Sequence, residues 1–221
     1  MDLTEMTGRV LGWTPYLAGG FVTNLMIAAV SMALGTVLGA GLALARSGNG
    51  RRLRWPAELL TSLCRNVPSF VLLFYVAFAI PVEIDWGGRV VALPLWIKAA
   101  LALTIPVIGF ASDQTLGLRR QLARGVASAR ATWVTSWLQY FLIIVMASAT
   151  ASVIGADEIV GRANRVIATD ESPAFLVIVY LYVSLWFLTA GLALSAATGW
   201  LARHRAVAGR RAAGKPAEAA T

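Results

Sequence analysis

Charge is scarce in this sequence. Asp, Glu, Lys and Arg make up 14% of its 221 residues, against 58% hydrophobic residues. A water-soluble domain carries about 25% charged and 45–50% apolar residues, and a globule of this length has no interior large enough to hide such an excess. High hydrophobicity with little charge also excludes disorder. The single cysteine, Cys64, leaves no internal disulfide and too few thiols for a structural zinc site. The single histidine, His204, lies in a basic tail, which argues against a Ser-His or Cys-His catalytic arrangement. There is no Gly-rich phosphate loop, so the chain does not look like an ATPase; no enzyme activity, metal or cofactor is expected of it. What remains is an all-α integral membrane protein.

A spanning helix needs about 20 mainly apolar residues, and five stretches qualify: residues 21–45, 59–80, 91–112, 132–154 and 173–200. The third holds Lys98, which could snorkel to the interface, and Pro106, tolerated as a kink. The amino terminus carries Asp2 and Glu5 instead of a basic region, and the apolar run after it is too long for a cleaved signal peptide. Residues 1–204 read as one transmembrane domain and residues 205–221 as a disordered basic cytoplasmic tail.

The net charge of +8 is positional. Arginines cluster in residues 46–58, in residues 113–131 and in the carboxyl tail. The alternating segments hold Asp2, Glu5, Glu83, Asp85, Asp157, Glu158, Asp170 and Glu171. Short arginine clusters between apolar runs are how membrane topology is written, and no nucleic-acid partner is implied. The positive-inside rule then places the amino terminus outside and the carboxyl terminus inside. On the outer side, Ile154, Ile159, Val160, Ala163, Val166 and Ile167 recur at helical spacing, which predicts a short amphipathic helix at the outer surface.

Within the spans, Gly35 and Gly39 form a GxxxG, followed by Gly41; it reads as a helix-packing or dimer face, or as ordinary intramembrane glycine. Asn24, Ser31, Thr36, Thr104, Ser112, Ser184 and Thr189 are the polar points, and such side chains more often bond to their own or a neighbouring helix than line a route. Asn24, Ser31 and Asp113 are the candidates for a solute pathway. No carboxylate or histidine lies deep in a span, so a proton relay has no obvious residues and the driving force comes from elsewhere. Arg65-Asn66-Val67-Pro68 opens the second span. Arg65 could anchor at the inner interface, and Pro68 sits near the helix start or kinks it. Residues 121–135 hold Arg124-Gly125, Ala127-Ser128-Ala129-Arg130 and Trp133, with Trp137 just beyond, read as a short helix along the inner face or as a plain positive loop with interfacial tryptophans.

Residues 35–81 resemble the permease subunits of polar amino-acid ABC importers. In that family a Gly-rich first helix ends in an Ala-Arg-Ser type boundary, and an Arg-Gly-Thr-Pro element opens the next helix; here the element reads Arg65-Asn66-Val67-Pro68, with the arginine and proline kept. Residues 152–187, with Ser152 and Gly155 in the Ser-Val-Ile-Gly segment, resemble the family's outer amphipathic helix and last span. The two matches cover somewhat under half the chain. The resemblance implies a type I importer permease fold with five spans, paired with a second permease subunit, identical or related. It also implies a cytoplasmic ABC ATPase that binds the ATP, an extracytoplasmic solute-binding protein, and an inner-membrane location. The family docks its ATPase through an inner Glu-Ala-Ala loop followed by Gly and Leu-Pro. The counterpart here is Ala127-Ser128-Ala129, flanked by Arg124, Gly125 and Arg130: the glutamate is missing, Trp133 stands where the glycine would be, no Leu-Pro follows, and the stretch before Ser152 is short by about one helix. That departure keeps a second reading open, a degenerate non-transporting permease paralogue paired with a complete one. A self-contained channel or secondary carrier ranks lower, since no inverted repeat is visible.

Overall fold

The computed structural model describes residues 3–48, 50–170 and 172–213. These residues form, in order, α1 (Leu3–Gly12), α2 (Thr14–Ser47), α3 (Arg51–Asn66), α4 (Ser69–Ala79), a hairpin of β1 (Glu83–Trp86) and β2 (Arg89–Ala92), α5 (Leu95–Ala123), α6 (Ala129–Ser148), α7 (Ile159–Ile167) and α8 (Pro173–Ala213), with a 3-10 turn at Ala149–Ile154 after α6. Among the described residues, four stretches are long and apolar enough to cross a membrane: Thr14–Ser47, Leu95–Ala123, Ala129–Ile154 and Pro173–Gly199. The chain is a multi-pass membrane protein, and its outward side chains (Val37, Leu38, Ile143, Met146, Leu181 and Leu192 among them) are apolar and exposed, as lipid-facing positions require. One end of the bundle gathers the arginine-rich connections α2–α3 and α5–α6; the other carries α1, the hairpin and α7.

The pair α2–α5 forms the centre. The GxxxG lets the two helices close up. A Cβ at Gly35 would lie 2.4 Å from Val107 Cγ1, and one at Gly39 would lie 2.6 Å from the Ile108 carbonyl oxygen and 2.7 Å from Ala111 Cβ. Gly41 meets nothing within 4 Å. The motif is therefore a packing face inside the chain. Ser31 Oγ tightens the same seam by donating to its own helix at Ile27 O and, at 2.9 Å, to Ala100 O across the gap.

The second span differs from expectation. It is two helices, α3 and α4, meeting at 100°. Val67 is extended (φ −81°, ψ 127°) because the residue before a proline is crowded out of the helical region, and Pro68 has no N–H to continue the ladder. α3 begins at Arg51, well before the expected residue 59, and lies against α5. A Cβ at Gly109 would meet Arg65 N at 2.8 Å. α4 rises only about 16 Å, half a hydrocarbon core.

The third span also starts later than expected. Residues 83–92 form an antiparallel hairpin, with Glu83 opposite Ala92 and Trp86 opposite Arg89. Its two-residue turn is Gly87-Gly88, both at positive φ, the backbone a tight primed turn demands. α5 begins only after Pro94. Lys98, expected to reach for the interface, is 1% exposed and points inward. Its ammonium donates to Ala77 O at 3.2 Å and Ile80 O at 2.7 Å, at the end of α4. The abrupt end of α4 leaves carbonyls without helical partners, and a cation there meets both their lone pairs and the helix dipole.

The amphipathic pattern in residues 154–171 forms α7, but it is built into the bundle. Ile159, Ala163 and Val166 are buried in the main core with Leu17, Phe21 and Phe175. At the opposite terminus α8 runs on to Ala213, through residues 205–213 of the expected tail, where alanines and arginines favour helix. Residues 214–221 lie outside the described residues.

Candidate functional site

At the arginine-rich end one carboxylate joins three helices. Asp113, in α5, accepts from Arg46 Nη1 of the last turn of α2 and from Arg65 Nη1 of the last turn of α3, each at 2.8 Å and each on its own oxygen. The same Arg46 nitrogen donates to Ser112 Oγ at 2.9 Å, and Ser112 in turn shares a 3.1 Å hydrogen bond with Thr61. The sequence makes Asp113 a pathway candidate or a solvated boundary charge; in the structure it is a tie between helices. Arg46 carries no such signal of its own, although it sits at the Ala-Arg-Ser boundary. Asp113→Ala removes both ion pairs while Arg46 stays mostly buried. The expected cost is about 1–2 kcal/mol, below that of a fully buried pair because Arg65 is more than half exposed. Unfolding of the purified variant in detergent checks it, with Asp113→Glu as the partial rescue.

Beside this tie an open cavity of about 1010 Å³ lies between α2, α3 and α5. Arg46, Arg51, Arg54, Arg119 and Arg120 line it, with Glu58 as its one acidic residue.

At the other end, Asn24, Ser148 and Glu158 form a wholly buried knot. Asn24 Nδ2 donates to Ser148 Oγ at 2.9 Å and to Glu158 Oε2 at 3.0 Å, while its Oδ1 accepts from Ile159 N at 3.0 Å. Glu158 caps α7, accepting from Val160 N at 3.0 Å and Gly161 N at 2.7 Å. Burial pushes its carboxyl above the usual carboxylate range, against the pull of these donors. Next to it, Asp157 lies below that range: its own partial burial is outweighed by the Arg162 and Arg165 guanidinium groups that bond it. Arg162 also donates to Tyr16 O at 2.7 Å, tying α7 to α2 a second time. Asn24 and Ser31 are thus fully buried with their polar atoms bonded inside the protein. Glu158 is the residue sequence reasoning passes over. Its place just before an amphipathic run is a cap signal, but its burial depends on Asn24, far away in the chain.

The family-motif positions fall at backbone turns. Arg65 and Pro68 flank the α3–α4 break. Ser152 donates to Ala149 O within the 3-10 turn, and Gly155 ends that turn at φ +85°. The arginine-rich residues 124–130 make a tight connection. Arg124 closes α5, Gly125 turns at φ +74°, Ser128 precedes α6, and Ala129 is buried in its first turn. No separate helix forms along this face in residues 124–128; the plain positive loop is the arrangement seen.

No family model matches the chain. A stretch of 80 residues, 36% of this chain and 35% of the relative, is 41% identical to a probable amino-acid ABC transporter permease protein, YckA, of Bacillus subtilis. A second probable amino-acid ABC transporter permease protein, y4tG of Sinorhizobium fredii, is 26% identical over 64% of this chain and 59% of its own. The chain thus spans under two thirds of these two relatives. The nopaline transport system permease protein NocM of Agrobacterium fabrum is 24% identical over 86% of this chain and 89% of its own. Among solved structures, the fold matches a crystal structure of an amino acid ABC transporter with histidines (TM-score 0.73, 16% identity, 92% of this chain and 99% of that one). It also matches the MetNI methionine ABC transporter in inward-facing conformations (TM-score 0.62, 16% identity, 85% and 96%). The resemblance read from the sequence holds, and the chain shares its fold with chains of these two ABC transporters.

Proposed function

We propose that this chain is the membrane permease subunit of an ATP-driven ABC uptake system for polar amino acids or similar small solutes. Two such subunits form the pathway, with amino termini outside and carboxyl termini in the cytoplasm, in the inner membrane. A cytoplasmic ABC ATPase supplies the energy and an extracytoplasmic solute-binding protein delivers the solute; this chain performs no covalent chemistry. The observation that carries the reading is that a fold covering 99% of an amino acid ABC transporter chain is rebuilt here, in a sequence with an 80-residue stretch 41% identical to a probable amino-acid ABC transporter permease protein. The arginine clusters at one end of the bundle support the orientation.

For the ATPase contact we propose the 124–130 turn. Gly125 sits at positive φ and Ala129 is buried, so replacing either one tests folding as much as docking. Arg124 and Arg130 are exposed. With the ATPase co-expressed, Arg124→Glu with Arg130→Glu should leave insertion intact and lower the ATPase recovered with the tagged chain. Unchanged recovery would move the contact elsewhere. The tight turn in place of a docking helix favours a second reading, in which this chain pairs with a complete permease that carries the ATPase contact. Recovery of the ATPase only when that second permease is co-expressed would select it.

A further inference from the structure

The cavity at the arginine-rich end has more positive charge than its own side chains neutralise. Of the five arginines that line it, Arg46 is held by Asp113 and Arg54 by Glu58. Arg119 donates to the neutral Ser47 hydroxyl at 2.8 Å. Among the described residues, Arg51, Arg119 and Arg120 have no carboxylate in ion-pair range. Arg46 Nε is buried beside them without a hydrogen-bond partner. The first turn of α3, the positive end of its dipole, opens at the same place, since Arg51 and Arg54 both line the cavity.

The position says what kind of anion fits. Arg46 closes a stretch of α2 with no charged residue since Arg9, so the cavity sits where the hydrocarbon core gives way to headgroups. Its wall α3 is amphipathic. Leu53 (66% exposed), Trp55 (67%), Leu59 and Leu60 are open to the surroundings on the same helix that turns arginines to the cavity. Trp55 belongs to both, lining the cavity and standing exposed at its edge. An indole at the boundary beside guanidinium groups is headgroup-level chemistry, and guanidinium forks match phosphate oxygens in pairs.

We propose that this cavity binds the phosphate headgroup of an anionic glycerophospholipid, with Arg51, Arg119 and Arg120 on the phosphate and Trp55 alongside the glycerol. The bound lipid fastens the first half of α3 to α5, on the same three helices that Asp113 ties. The site rests on the orientation proposed above only for the leaflet it faces.

Native mass spectrometry of the purified full chain, titrated with phosphatidylglycerol or phosphatidylcholine, tests it. The wild type should bind phosphatidylglycerol more tightly than phosphatidylcholine. Arg51→Ala with Arg120→Ala should weaken phosphatidylglycerol about 25-fold, roughly fivefold per arginine, and leave phosphatidylcholine unchanged. Arg51→Lys with Arg120→Lys, which keeps the charge but not the paired donors and guards against misfolding, should bind phosphatidylglycerol more tightly than the alanine double variant and less tightly than the wild type. Arg124→Ala with Arg130→Ala, outside the cavity, should retain all of it. Equal binding of both lipids, or an unaffected alanine double variant, overturns the site. Displacement of the lipid by an equal concentration of inorganic phosphate overturns the lipid assignment in favour of a soluble anion. Loss of ATPase co-purification in the alanine double variant, with lipid binding intact, overturns it in favour of a protein contact. Labelling of Ser128→Cys in a Cys64→Ala background reads the orientation separately, so a failed topology is not mistaken for a failed site.

Discussion

Gly39→Leu should stop the chain from accumulating as a folded monodisperse species, whereas Gly41→Leu, two residues along the same helix, should be silent. A side chain at Gly39 has no soft neighbour to displace. It would meet the Ile108 carbonyl oxygen, Ala111 Cβ and Ser112 N within 3 Å, all part of the facing helix or its first side-chain carbon. Relief requires α2 and α5 to separate along the seam that also holds the Ser31–Ala100 hydrogen bond, at a cost of about 3 kcal/mol. At Gly41 a side chain enters open space, and leucine is the better helix former. Size-exclusion profiles and unfolding temperatures in mild detergent decide it. Equal loss in both variants would instead put this stretch of α2 on a subunit interface.

Glu158→Ala is the second large effect, expected to destabilise by about 2–4 kcal/mol. It removes the cap of α7 and leaves the Asn24 amide with one bond fewer in a site without water access; each loss is worth about 1–2 kcal/mol. Limited proteolysis should show α7 released before the bundle opens. Glu158→Gln separates charge from shape. Burial raises the native carboxyl above its unfolded value, so the folded state holds the proton more tightly. The wild type therefore has its full stability below the unfolded value and loses part of it as pH rises through the folded one. Glutamine has no such loss, so the gap in unfolding temperature between the Glu158→Gln variant and the wild type should shift in favour of the variant between about pH 4.5 and neutrality. Asp157 contributes the opposite slope, at more acidic pH, because its native value is lowered. Parallel curves for the two proteins across that window would contradict the buried charge.

Much of the architecture is legible in the sequence because its signals are local. Uninterrupted apolar runs mark the long helices, and the period of Ile159, Ala163 and Val166 marks α7. Gly35 and Gly39 mark a close approach, but not the helix that approaches. Other features have a local signal that the length of an apolar run obscures. Val67-Pro68 is a helix break inside a stretch long enough to read as a span, and Gly87-Gly88 is a hairpin turn whose second strand runs into the start of the next such stretch. The polar ties have none. Lys98 is satisfied by carbonyls of α4, Asp113 by arginines about 50 and 70 residues earlier, and Glu158 by Asn24, 134 residues away. Such pairs exist only once the helices are side by side. The departure of residues 124–130 from the family's docking loop is readable directly, because it is a change in the residues themselves.

Uptake measures whether this chain forms the proposed solute pathway driven by an ABC ATPase. The chain is reconstituted in liposomes with its ATPase and solute-binding protein, and labelled polar amino acids are offered with and without ATP. Accumulation that requires ATP and the binding protein, in vesicles holding this chain as the permease, is the expected result. No accumulation with this chain alone, restored only by adding a second permease, would contradict a self-sufficient pathway and leave the paired-paralogue reading in its place.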